Sequence, residues 1–125
     1  MNPIFELLPL PITRYDDPFL PFGKAIVSAT HDLVAGYFFD FASYLAMGGA
    51  GAVALERTIA YVPDNCLTIL HGAFTGRGYS AMADNFNLDA ITVATQDDLA
   101  YYTENSPYMA FLVSQTEKTV PANTG

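Results

Sequence analysis

Positive charge is scarce in this chain. Its 125 residues hold five lysines and arginines against thirteen acids, a formal net charge of −8. A nucleic-acid surface needs clustered Lys and Arg to displace phosphate counterions. Between Arg77 and Lys118 there is no base at all, only Asp84, Asp89, Asp97, Asp98, Glu104 and Glu117. Binding to nucleic acid or to an anionic membrane surface is not expected.

Cysteine is nearly absent. Cys66 stands alone, so no intrachain disulfide can form, and its apolar surroundings predict a buried, inert thiol. No Cys/His set has zinc spacing. Asp97-Asp98 is explained by the positive end of a helix dipole, so no metal is expected. An uninterrupted membrane-length apolar run is also missing. Leu33 to Leu55 comes nearest, but it contains Asp40 and is broken by Gly48, Gly49 and Gly51. The opening "MNPIFELLPLP" has no basic n-region and reads poorly as a signal peptide. A cytoplasmic, reducing location is the default.

Charged residues make up only 14% of the chain, well below the usual quarter, while 51% are hydrophobic. A small domain has much surface for its volume, so some apolar groups must stay outside after folding. Burying them between subunits is the simplest remedy, and a homo-oligomer is expected.

Five of the eight prolines fall at positions 3, 9, 11, 18 and 21. They argue against a long helix or a central strand over Met1 to Gly23. Residues 1–23 therefore read as an apolar extended arm, packing on its own domain or on a neighbour. Residues 24–114 read as the globular domain and 115–125 as a loose polar tail.

Within the domain, "KAIVS", Lys24 to Ser28, suggests a strand. Val34, Tyr37, Phe38, Phe41, Tyr44 and Leu45 follow helical spacing, so a helix is expected over about Asp32 to Met47, capped by the "THD" at Thr30 to Asp32 and ended by Gly48 and Gly49. The segment 52–62 fits helix or strand, with helix favoured. Cys66 to Phe74, Leu88 to Ala94 and Tyr108 to Ser114 read as strands. Tyr79 to Asp84 suggests a helical turn or two. Thr95 and Asp98, at capping-box spacing, should start a helix over Gln96 to Glu104. These elements give an α+β domain with a mixed sheet of about four strands and two or three helices. A doubly wound α/β sheet is the alternative.

The chemically suggestive stretch is "TILHGAFTGRGYSAMAD", Thr68 to Asp84. His71 sits near the carboxyl end of a strand, where α/β sheets bind ligands, and imidazole suits proton transfer near neutral pH. Thr75, Gly76, Arg77 and Gly78 offer backbone amides and a guanidinium to a small anion. The plainer readings are a hydrogen-bonded, half-buried histidine and an ordinary turn. "TGRG" is not a nucleotide-binding P-loop, and "GGAG", Gly48 to Gly51, follows no strand; no cofactor is implied. The chain thus reads first as a small homo-oligomeric domain, structural or ligand-binding. The alternative is a small acid/base enzyme acting on an anionic metabolite through His71 and Arg77.

Overall fold

Among the described residues four short strands lie side by side in the order in which the chain makes them. They are β1 (Gly36–Asp40), β2 (Leu67–His71), β3 (Ala90–Val93) and β4 (Met109–Leu112), all parallel, in the spatial order β1-β2-β3-β4. The helices are α1 (Phe19–Thr30), α2 (Phe41–Leu45), α3 (Gly48–Tyr61), α4 (Arg77–Ala83) and α5 (Gln96–Asn105). The computed structural model describes residues 1–9, 18–72, 77–105 and 109–113. The expected tail, 115–125, lies outside the described residues.

An all-parallel sheet with helical crossovers makes this an α/β fold, which corrects the expected α+β mixed sheet. It is nearer the doubly wound alternative, with one difference. Doubly wound sheets reverse their strand order at a switch point; here the order never reverses. Right-handed crossovers between successive neighbours all return over the same face. Such one-way winding is that of a segment of a β/α barrel.

The expected helix over Asp32 to Met47 is instead β1 followed by α2. Tyr37 and Phe39 are buried while Phe38 between them is exposed, the alternation of a strand. Aromatic residues favour strands, and a cluster of them happens to satisfy helical spacing as well. Gly36 is a further strand signal, since a Cβ there would sit 2.6 Å from the Leu67 carbonyl oxygen.

"KAIVS" lies within α1 instead of forming a strand. Pro18 is the N-cap of that helix and Pro21 falls in its first turn, where a missing N–H costs no intrahelical bond. The helix therefore begins inside the segment expected to be an arm. His31 is its C-cap, so "THD" ends a helix and caps none. The segment 52–62 is helical to Tyr61, within α3, with Val62 as its C-cap, and "GGAG" opens that helix. Gly48 has φ +66°, and a Cβ on Gly51 would lie 1.7 Å from the Tyr44 carbonyl oxygen. Those glycines let α2 and α3 meet at backbone distance.

Phe39, Leu70 and Ile91, one from each of β1, β2 and β3, are fully buried on one face of the sheet. Val27, Leu55, Ile59 and Tyr44 belong to the same core. Met1 joins the domain through its carbonyl, which accepts the Asp40 N–H at 2.8 Å, and Leu8 and Phe19 are buried. No helix among the described residues is long and apolar enough to cross a membrane.

Phe41 ties the region after β1 to the region after β2: its ring stacks on Tyr79 at 6.0 Å and meets Phe86 edge-on at 6.1 Å. Phe41→Ala should cost about 3–5 kcal/mol in urea unfolding, the usual range for a buried Phe. A loss below about 1 kcal/mol would mean that this junction does not hold the fold together.

Candidate functional site

The strands present a second face, opposite the row of Phe39, Leu70 and Ile91. Side chains alternate along a strand, so Phe38 and Asp40 of β1, Ile69 and His71 of β2, Ala90 and Thr92 of β3, and Met109 and Phe111 of β4 share it. The polar members gather at the carboxyl end. His71 Nδ1 lies 2.8 Å from Thr92 Oγ1, and the Gly72 N–H donates to the same oxygen at 3.2 Å. The Phe38 ring stacks on the imidazole, with centroids 5.1 Å apart and planes at 25°. Asp40 stands beside His71 in the β1–β2 ladder and accepts a hydrogen bond from Ser43 Oγ at 2.6 Å. Ser43 also contacts Asn2 Oδ1.

His71 is thus half-buried, oriented by a hydroxyl on the next strand and covered by an aromatic ring on one side. Thr92 is itself buttressed. Tyr79 donates its phenolic hydrogen to the Thr92 carbonyl at 3.2 Å. Burial pushes the Tyr79 phenol well above its ordinary range, with Tyr102 and Asp98 adding to the shift. Burial raises the Tyr44 phenol likewise.

The expected anion loop is only partly visible. Thr75 and Gly76 lie outside the described residues. Arg77 and Gly78 begin α4, directly after the β2 end that carries His71, and the Arg77 side chain is likewise outside what is described. Asp98 caps its own helix: its N–H donates to Thr95 Oγ1 at 3.1 Å and its carboxylate accepts from that hydroxyl at 3.0 Å. Among the described residues no group of three or more His, Cys, Asp or Glu could hold a metal ion. Cys66 is buried, with its thiol toward the His31 carbonyl at 3.3 Å.

Sequence reasoning missed Thr92, Phe38 and Asp40. Thr92 had a signal, as the one hydroxyl inside the apolar run "AITVA". The other two were read as helical, which hid their place on β1.

Comparison with known proteins gives this arrangement a context. The chain is 32% identical over 122 residues to the orotidine 5'-phosphate decarboxylase of Flavobacterium johnsoniae, covering 89% of this chain and 43% of that protein. It is 31% identical over 125 residues to the enzyme of the same name from Herpetosiphon aurantiacus, covering 93% and 47%. The chain spans about half the length of the curated relatives it matches. No family model matches it. Among solved structures, a Toxoplasma gondii protein assigned as an orotidine-monophosphate decarboxylase superposes with TM-score 0.78 at 23% identity, over 94% of this chain and 44% of that one. The Leishmania donovani OMP decarboxylase superposes with TM-score 0.66 at 20% identity, over 79% and 45%. These two likenesses establish the fold. The curated relatives overturn the first functional reading, a structural or ligand-binding domain without catalysis. The acid/base enzyme alternative fits them better.

The buried phenols make stability depend on alkaline pH. An unfolded chain releases tyrosine protons near pH 10, while folded Tyr44 and Tyr79 still hold theirs. The native state then binds more protons than the unfolded one, and stability falls as pH rises. Melting temperatures should therefore drop between about pH 9 and 11, and the drop should be shallower in Tyr44→Phe. Equal slopes in the two proteins would remove Tyr44 from this account.

Proposed function

We propose that this chain carries part of the catalytic barrel of an orotidine 5'-phosphate decarboxylase-type enzyme, acting on an anionic pyrimidine nucleotide at the carboxyl ends of β1 to β3. The similarity along nine-tenths of the chain to relatives of that name carries the reading. The His71–Thr92 pair gives it a chemical locus.

Decarboxylation breaks the bond between a ring carbon and its carboxylate. Carbon dioxide leaves, the electron pair stays on the ring carbon, and that carbon takes up a proton. His71 is the proton donor in this reading. Thr92 is a positioning residue: its oxygen accepts the Gly72 N–H and, in the imidazolium form, the Nδ1–H, so that Nε2 delivers the proton and a neutral imidazole protonated on Nδ1 is left. Phe38 walls the imidazole and keeps water from one side. Arg77 binds the phosphate together with the amides of Thr75, Gly76 and Gly78, which follow β2 directly. A cytoplasmic, nucleotide-metabolising role goes with this reading.

The test is turnover of orotidine 5'-phosphate by the full chain, with uridine 5'-monophosphate protection against thermal unfolding as the binding readout. His71→Ala should lower kcat by about a hundredfold or more, as loss of a general acid does, and leave the protection intact. Arg77→Ala should weaken the protection, because a ligand that binds only the folded state raises the melting temperature in proportion to its affinity. A wild-type chain that neither turns over the substrate nor is protected by the product would refute the proposal.

A further inference from the structure

The parallel ladder between β2 and β3 stops one bond short of His71 and Thr92, and side chains take the place of the missing bond. The Thr68 N–H faces β3, where it donates to the Asp89 carboxylate. Peptide groups alternate in direction along a strand, so those of Leu70 and Gly72 face β3 as well. The Val93 carbonyl accepts the Val113 N–H from the β4 side, so the Thr92 carbonyl is turned toward β2. Leu70 is level with Ile91. The next bond of a regular parallel ladder would therefore run from the Gly72 N–H to the Thr92 carbonyl.

Among the described backbone hydrogen bonds none joins these two groups. The Gly72 N–H donates instead to Thr92 Oγ1 at 3.2 Å, and the Thr92 carbonyl accepts the Tyr79 phenol, also at 3.2 Å. Each backbone group is thus satisfied without the other, as a buried peptide group must be. Tyr79 is held firmly enough to impose this. It is buried, its ring stacks on Phe41 at 6.0 Å, and burial keeps its hydroxyl protonated and able to donate. The oxygen that receives the diverted Gly72 amide is the one that meets His71 Nδ1 at 2.8 Å.

We propose that Tyr79 is a positioning residue that wedges β2 and β3 apart at their carboxyl ends and so sets the His71–Thr92 pair. By occupying the Thr92 carbonyl it sends the Gly72 amide to the Thr92 side chain, and that amide pins Oγ1 beside the imidazole. Without the phenol hydroxyl the vacated carbonyl takes the Gly72 N–H, because a buried acceptor is costly to leave unpaired. The missing bond then forms, and Thr92 Oγ1 loses the donor that fixes it. Tyr79 acts on His71 through Thr92. The wedge itself is independent of the reaction; its effect on turnover rests on the reading of His71 as the proton donor.

Nuclear magnetic resonance of the isotope-labelled full chain tests this, because scalar coupling across a hydrogen bond connects an amide nitrogen to the carbonyl carbon it reaches. In the wild type Val113 should couple to the Val93 carbonyl, and Gly72 should show no coupling to the Thr92 carbonyl. A Gly72–Thr92 coupling in the wild type overturns the proposal, whether or not any variant folds. Tyr79→Phe keeps the ring and removes only the hydroxyl. In it the Gly72–Thr92 coupling should appear and the His71 Nδ1 resonance should move. Tyr44→Phe removes a buried phenol that donates to Met1 Sδ, and it should leave both signals as in the wild type. Wild-type Gly72 and His71 signals in Tyr79→Phe overturn the proposal, since the hydroxyl then supports packing alone. Equal changes in Tyr44→Phe overturn it too, since the effect is then a general loosening. In turnover of orotidine 5'-phosphate, Tyr79→Phe should lower kcat by about tenfold to a hundredfold with KM unchanged. An unchanged kcat in an active enzyme overturns the positioning role. A wild type without turnover sinks the decarboxylase reading, while the couplings still decide the wedge.

Discussion

Thr68 and Asp89 lock the two central strands together before the ladder proper begins. The Thr68 N–H donates to an Asp89 carboxylate oxygen at 2.9 Å, the Asp89 N–H donates to the Thr68 carbonyl at 2.9 Å, and the Thr68 hydroxyl reaches the Asn87 carbonyl at 2.8 Å. Beyond this clamp the paired residues are just Ile69 with Ala90 and Leu70 with Ile91. So short a ladder specifies its register weakly, and a slip of one residue would turn a whole strand to the other face. The clamp removes that freedom at the amino end. At the carboxyl end the consequence is chemical: His71 arrives opposite Thr92, and their side chains meet.

The same pairing dictates what the chain must hide. Strands laid down in order, with every crossover on one side, give one face to the helices and leave the other bare. The helical face is filled by Phe39, Leu70 and Ile91, which have no exposure at all. The bare face carries side chains just as large. Exposed apolar side chains also lie off the sheet, Leu7 and Leu33 above all, and the sheet face adds Phe38, Leu67, Met109 and Phe111 to them. The prolines of the N-terminal segment left open whether it packs on its own domain or on a neighbour. The described beginning of the arm folds back on its own domain through Met1 and Leu8.

What could be read in the sequence depended on whether one signal or two competed at a given place. Thr95 and Asp98 offered a helix start with no rival, and Thr95 Oγ1 accepts the Asp98 N–H as an N-cap does, while its hydroxyl donates to the Asp98 carboxylate. The apolar run after Cys66 had no helical pattern to confuse it, and it is β2. In "GYFFDFASYLAM" two periods overlap. The aromatic residues satisfy a helix, while the glycine that lets β1 approach β2, Gly36, gives its reason only once Leu67 is known to be its neighbour. Pro18 and Pro21 misled for a similar reason. Proline excludes a helix interior but suits a helix start, and only the position of the first turn distinguishes these. His71 could be singled out from its own strand. Its partners could not, because Thr92 and Phe38 reach it through pairings between segments far apart in the chain.

Enclosure of an imidazole matters to proton transfer through water. An imidazole stacked on one aromatic ring and open elsewhere delivers its proton in competition with solvent. In a water-excluded rim the same group acts on a fixed ligand, and electrostatic interactions are strengthened by the lower dielectric. Among the described residues that enclosure is made by Phe38 on one side of His71 and Thr92 on the next strand, with the short α4 following β2. The exposed Phe38, Leu67, Met109 and Phe111 lie on the same side of the sheet as that imidazole.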